Sequence, residues 1–145
     1  MIGLIQRVRS ARVEIDGDTA ARCGAGMLVL VGFRRDDTAE RLDRFVERLL
    51  NYRIFPDAAG RMNRSLRDVD GDLLAVPQFT LAADTNAGNR PSFTPAAPPE
   101  RGAALFDAFR ERLVEAWPRA RFGVFGADMQ VALVNDGPVT FWLEV

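Results

Sequence analysis

The chain has 145 residues, 48% hydrophobic and 27% charged, with a formal net charge of −1. That length predicts one domain spanning 1–145 around one core, and the composition excludes a disordered, collagenous or disulfide-built protein. There is no histidine, Cys23 is the one cysteine, and all 19 basic residues are arginine. Ser-His-Asp triads, Cys-His pairs, Schiff-base lysines, Walker lysines and zinc sites built on His and Cys are thereby excluded. Any chemistry falls to backbone groups, hydroxyls, carboxylates, amides or the substrate, and no cofactor or metal is expected. Near-neutral charge points by itself to no nucleic-acid or membrane partner. A single cysteine fits a reducing compartment, the first residues do not read as a signal peptide, and no apolar run can cross a bilayer. A cytoplasmic location is expected.

Residues 2–9 and 12–15 read as strand, and Asp16-Gly17-Asp18 as the turn to another strand at 19–23. Met27–Phe33 is a continuous apolar run, the pattern of a strand covered on both faces. Asp37 with Glu40 three residues later resembles a capping box, opening a helix whose apolar stripe is Leu42, Phe45, Val46, Leu49 and Leu50. Arg41, Arg44 and Arg48 take its opposite, solvated face, with Glu40–Arg44 support at i,i+4. Residues 52–55 form a short strand stopped by Pro56, and 60–72 carries no period and reads as loop or bent edge. Leu73–Leu81 is strand-like, yet Pro77 removes a ladder donor, so an edge, bulge or strand end must fall there. The polar stretch from Ala82 to Pro99 is longer than a compact domain usually holds without a use for it. A second helix opens at Pro99 and Glu100 with the stripe Ala103, Phe106, Phe109, Leu113, Trp117, and ends at Pro118. Strands follow at 121–125, 129–134 and 139–145, the last two joined by a hairpin turn at Asn135-Asp136-Gly137-Pro138. The elements together predict a single α/β domain, a mixed, mostly antiparallel, barrel-like sheet with two packed helices.

Two stretches break local rules without a packing reason, which marks them for function. In Pro77-Gln78-Phe79-Thr80-Leu81, a proline, an amide and a hydroxyl interrupt a core strand. In Asn135-Asp136-Gly137-Pro138-Val139-Thr140, a Gly-Pro corner can present bare carbonyls as a rigid wall, since glycine brings no Cβ near a ligand.

These two stretches resemble the paired signature of the D-aminoacyl-tRNA deacylases, Ser-Gln-Phe-Thr and Asn-x-Gly-Pro-x-Thr. The resemblance extends to Gln6-Arg7-Val8, to Gly60-Arg61-Met62-Asn63-Arg64-Ser65-Leu66, to Ala83-Asp84-Thr85 and to Gly88-Asn89-Arg90-Pro91-Ser92-Phe93. It covers essentially the whole chain. One departure is Pro77, where the family usually has serine, so a hydroxyl at that position carries no essential step here. The resemblance implies an ester hydrolase that removes a D-amino acid, and also glycine, from the 3′-terminal adenosine of tRNA, without a metal. It implies a homodimer with active sites at the subunit interface. It also implies that the Gly137-Pro138 bond is cis and enters the other subunit's pocket, where it fills the space of an L-side chain.

An activated ester beside a free 2′-hydroxyl can be hydrolysed without histidine if a water or that hydroxyl is oriented and backbone N–H groups meet the oxyanion. Gln78, Phe79 and Thr80 are the catalytic candidates, with the N–H groups of 78–80 as oxyanion donors and Thr80 either positioning the reacting group or, with no obvious base beside it, attacking as nucleophile. Gly137 and Pro138 are the substrate-facing wall. Asn135 and Thr140 hold that corner, and Arg7 either braces it through its carbonyls or is a solvated strand arginine. Arg61, Arg64 and Arg90 are candidate contacts to the acceptor end of tRNA. Cys23 reads as buried filler, Trp117 as core, Trp142 as core or dimer contact, Met129 as strand core or adenosine-pocket lining, and Asp68 and Asp70 as solvated surface. A non-catalytic binding module and a general esterase remain the alternatives.

Overall fold

The computed structural model describes all residues, 1–145. Its frame is β1 (Ile2–Ile15), a 14-residue strand that has partners on both edges. Along one edge β3 (Gly26–Gly32) pairs with residues 2–8 and β2 (Asp18–Cys23) with residues 11–15, both antiparallel. Asp16 and Gly17, with φ of 52° and 88°, make the tight turn between β1 and β2. Along the other edge runs β8 (Gln130–Glu144), antiparallel from Glu14↔Gln130 to Ile2↔Glu144.

The sheet continues through two parallel pairings. β6 (Asp72–Pro77) lies beside β3, and β7 (Ala120–Phe122) beside β6. Helix α1 (Leu42–Asn51) connects β3 to β6 and α3 (Pro99–Ala116) connects β6 to β7, as parallel neighbours require. The result is a mixed, nearly closed sheet with few helices, as the sequence predicts.

Alternation along β3 separates two apolar layers. Met27, Val29 and Val31 face the helices, where they join Phe45, Leu49, Phe106, Phe109 and Leu113 in a cluster of 22 buried residues. Leu28 points the other way, into the curl of the sheet, with Val8, Val13, Cys23, Leu74 and Val76. Gly26 lets β6 come close: a Cβ there would lie 2.0 Å from the Asp72 carbonyl oxygen. Cys23 sits in the inner layer as expected, and burial pushes its thiol up to about 11, opposed by the backbone at Ala11 and reinforced by Asp72.

Several local expectations are corrected. Asp37 caps no helix: its Oδ1 accepts from the Met1 ammonium at 2.7 Å and its Oδ2 from the Arg34 N–H at 2.7 Å. The first helical turn at Ala39–Arg41 is 3-10, α1 begins only at Leu42, and Glu40 makes no ion pair with Arg44. The capping box lies elsewhere, in the stretch read as loop. Ser65 Oγ accepts from the Asp68 N–H, and the Asp68 carboxylate accepts from the Ser65 N–H, opening the one-turn α2 (Leu66–Val69). Those N–H and hydroxyl donors hold the Asp68 carboxyl below its usual range. Before it, β4 (Phe55–Pro56) and β5 (Met62–Arg64) form a separate two-stranded arm.

The largest correction concerns the C-terminal strands. Asn135–Pro138 is no hairpin turn, because β8 runs straight through it along β1. The segment is a wide bulge: between Val8↔Asn135 and Gln6↔Thr140, Asp136 to Val139 face Arg7 alone. Trp142, on the same strand, is half exposed and is not core.

Candidate active site

Pro77 ends β6 at a place where no donor is missed, since β7 pairs only as far as Ala75↔Phe122. The chain then turns into a short 3-10 segment, Phe79–Ala82. The carboxyl ends of the parallel strands β3 and β6 thus lie side by side, paired as far as Val31↔Pro77, at the usual place for a ligand crevice in a parallel sheet. A cleft of about 700 Å³ opens there. Its lining comes from the end of β3 and the residues after it (Val31, Phe33, Arg35), from Val76 to Phe79, and from Phe125 to Met129 with Val131.

The long loop between Ala82 and Pro99 builds the rim. Asp84 and Ser92 exchange backbone hydrogen bonds of 2.8 and 2.9 Å, closing the loop on itself. Its far end is stitched to β3 by Arg35 N–H to Pro95 O (2.9 Å) and Ala97 N–H to Phe33 O (3.0 Å). This places Phe93 against Phe79, ring centroids 5.2 Å apart, both exposed at the cleft mouth.

Gln78, which lines the cleft, donates through Nε2 to Thr80 Oγ1, outside the lining, at 2.6 Å. An amide donating into a hydroxyl leaves its proton free to be given away, which suits a positioning donor and opposes a nucleophile. The backbone N–H of Gln78 is already committed to the Val31 carbonyl at 2.7 Å, so it is removed from the expected oxyanion donors. The N–H groups of Phe79 and Thr80 open the 3-10 turn, where the first donors of a helix lack partners within it.

The second motif lies outside this cleft. The Gly137-Pro138 peptide is cis and both residues are exposed. Arg7 Nε donates to the Asp136 carbonyl at 3.2 Å and lies 3.0 Å from Asp136 Oδ2, while its Nη1 donates to the Ile54 carbonyl at 2.8 Å. Arg7 is therefore a brace and not a solvated arginine, although it grips Asp136 rather than the carbonyls of Gly137 or Pro138. Asn135 Nδ2 donates to Thr140 Oγ1 at 2.8 Å, and Asn135 Oδ1 accepts from the Val139 N–H at 3.2 Å. Asn135 and Thr140 so close the base of the bulge. Gly137 has φ 130°, which excludes side chains; a Cβ would lie 2.8 Å from Val139 Cγ2 and 3.2 Å from Arg7 Nη2.

Gln78 and Phe79 line the cleft, as does Met129; Thr80, Gly137 and Pro138 do not. Nor do Arg61, Arg64 and Arg90. Arg61 stands 3.9 Å from Asp57 and Arg64 donates to the Asp68 carbonyl, both on the β4–β5 arm or its exit. The cleft's own cation is Arg35, which the sequence reading passed over. Its signal was present in its position just past the end of a strand buried at all but Leu30. Asp68 and Asp70 are consumed locally, Asp70 by Arg119. Arg119 and Arg67 lie 5.4 and 5.9 Å from the ring centre of Trp117.

The fold and this site define an α/β protein with a largely apolar cleft at the carboxyl ends of β3 and β6. The family model described as D-Tyr-tRNA(Tyr) deacylase matches residues 4–144. A D-aminoacyl-tRNA deacylase of Alkalilimnicola ehrlichii is 61% identical over 99% of this chain and 96% of its own length. That of Stutzerimonas stutzeri is 57% identical over 99% of both chains. Among solved structures, a c-Myc DNA unwinding element binding protein superposes with TM-score 0.95 at 37% identity, covering 100% of this chain and 99% of its own. A probable eukaryotic D-amino acid tRNA deacylase shares the fold, with TM-score 0.88 at 20% identity over 99% and 98% of the two chains. This chain belongs to the D-Tyr-tRNA(Tyr) deacylase family.

Proposed function

We propose that residues 1–145 act as one D-aminoacyl-tRNA deacylase domain that rejects L-amino acids by exclusion. The enzyme hydrolyses the ester between a D-amino acid and the terminal ribose of tRNA, releasing the amino acid and a free ribose hydroxyl. Water attacks the ester carbonyl, the carbonyl electrons move to oxygen, and collapse of that oxyanion expels the ribose oxygen, which takes up a proton. Phe79 and Thr80 offer their N–H groups to the oxyanion, and the Gln78–Thr80 pair orients the reacting hydroxyl or water. Glycine passes because exclusion acts on a Cβ it lacks. A tRNA substrate supports a cytoplasmic location. No helix is long and apolar enough to cross a membrane.

The observation that carries this reading is the separation of the two motifs. The braced, exposed Gly137-Pro138 corner lies outside its own chain's cleft, which supports a homodimer in which each corner enters the partner's cleft. The free edge of β8, bearing half-exposed Val134 and Trp142, supports the same arrangement. Subunit mixing tests it. Phe79→Ala spoils only the cleft and Gly137→Ala only the corner, so the mixed dimer holds one intact site and regains D-aminoacyl-tRNA hydrolysis. No recovery after subunit exchange, or a monomer of 16.1 kDa with full activity, overturns the shared site.

A further inference from the structure

Of all the side chains lining the cleft, only Arg35 and Asp128 are charged. Arg35 is held in place rather than free. Its N–H donates to the Pro95 carbonyl at 2.9 Å, and its Nε donates to the Thr94 carbonyl at 3.2 Å. Those bonds leave both terminal guanidinium nitrogens, Nη1 and Nη2, as unspent donors at the exposed mouth of the cleft. The surrounding charges do not neutralise it. Arg34 takes Glu144, and Asp37 is filled by the Met1 ammonium and the Arg34 N–H. Asp36 and Asp128 make no ion pair with it; the ion pairs of this region are those of Arg34 and Met1.

The tether also fixes what lies beside the charge. Thr94 follows Phe93, so the guanidinium sits within one residue of the Phe79–Phe93 aromatic pair. A tethered cation next to two exposed aromatic faces suits a nucleotide, whose base stacks on a ring while its phosphate meets a guanidinium.

At the end of an aminoacylated tRNA the amino acid's own carboxyl is esterified and therefore neutral. The anion common to every such end, whatever its side chain, is the phosphodiester on the 5′ side of the terminal adenosine. We infer that Arg35 is a positioning residue that binds this phosphodiester and so seats the terminal nucleotide against Phe79 and Phe93. The inference rests on the reading of the cleft as the ester site, and it deepens that reading by naming a phosphate subsite.

The test compares three substrates: D-aminoacyl-tRNA, 3′-O-D-aminoacyl-adenosine carrying a 5′-phosphate, and the same ester without the phosphate. Arg35→Gln raises KM for the two phosphate-bearing substrates by about 10- to 100-fold more than for the bare adenosine ester, with the loss in KM rather than kcat. Its dependence of log KM on log salt falls by about 0.7 with tRNA, the share of one single-stranded phosphate contact. Arg35→Lys restores part of both effects, since it keeps the charge and loses the fork. Equal losses on all three substrates, or an unchanged salt dependence, overturn the inference. Wild-type protein gives a reading that needs no variant: adenosine 5′-monophosphate competes about 10-fold better than adenosine, and equal competition overturns the subsite. Phe79→Ala is run in parallel on the bare ester. A wild-type rate there shows the ester is cleaved elsewhere, so the cleft reading fails and the subsite with it, an outcome distinct from failure at Arg35 alone.

Discussion

Arg7 binds Asp136 twice across the β1–β8 ladder, through the carbonyl at 3.2 Å and through Oδ2 at 3.0 Å. It sits opposite the whole bulge, and its third bond, to the Ile54 carbonyl, ties the bulge to the segment leading into β4. The corner is thus supported from behind by one largely buried guanidinium. Arg9 adds only an exposed contact at 3.2 Å to the same carboxylate.

Arg7→Ala is expected to lower stability by about 2 kcal/mol, because it strips partners from two carbonyls and a partly buried carboxylate. Released from behind, the wall shifts and some L-aminoacyl-tRNA is hydrolysed. Thermal unfolding and deacylation of matched D- and L-aminoacyl-tRNA check it. Unchanged melting together with full exclusion of L-substrates would show that the brace is unnecessary.

Gly137→Ala places a Cβ 2.8 Å from Val139 Cγ2, at a φ of 130° that an alanine resists. The backbone strain is about 1–3 kcal/mol, and relief comes only by moving the corner. Hydrolysis of D-aminoacyl- and glycyl-tRNA therefore both fall. A wild-type rate on D-substrates with L-substrates still rejected would remove Gly137 from the wall.

Thr80 accepts from the Gln78 amide and has no general base beside it. Thr80→Ala is expected to slow deacylation by about 10- to 100-fold through lost positioning. A loss of about 10⁵-fold in a protein that still dimerises and binds substrate would instead identify a covalent nucleophile.

Cys23 supplies a pH dependence whose sign is fixed. Its thiol is raised from 9.0 to about 11 in the fold, so between those values the folded state holds the extra proton. Stability present below pH 9.0 is lost as pH rises toward about 11, with a slope of at most about 1.4 kcal/mol per unit. Denaturant unfolding from pH 8 to 10.5 should show the decline and Cys23→Ala should flatten it. The same burial predicts slow alkylation of the native thiol at pH 8.

Asp37 and the Met1 ammonium form a pair at 2.7 Å with side-chain exposures of 2% and 0%. Asp37→Asn leaves that ammonium buried against a neutral amide, with an expected cost of about 3–5 kcal/mol. Since Asp37 also receives the Arg34 N–H at the start of the segment carrying Arg35, the cleft rim should loosen as well. A melting temperature within a degree of wild type would show that water reaches the pair.

What the sequence determined by itself was local. β-branched residues interleaved with arginines marked residues 2–9 and 12–15, which the fold joins as one strand β1, an apolar run at strand length marked β3, and helical spacing of Leu42, Phe45, Val46, Leu49 and Leu50 marked α1, because period and burial are properties of neighbouring residues. The two motifs stood out for the same reason: each violates the local rule of the strand that contains it. Distant partners decided the rest. Asn135-Asp136-Gly137-Pro138 has turn chemistry, yet β1 is long enough to pair with both flanks at once, so the segment became a bulge braced by Arg7, 129 residues away. Asp37 has capping chemistry, yet the Met1 ammonium reaches it first. Gln78 has a backbone donor, but its place beside β3 gives that donor to Val31. In each case the residue carried more than one possible hydrogen bond, and only the tertiary structure, by bringing a remote group within 3.2 Å, chose among them.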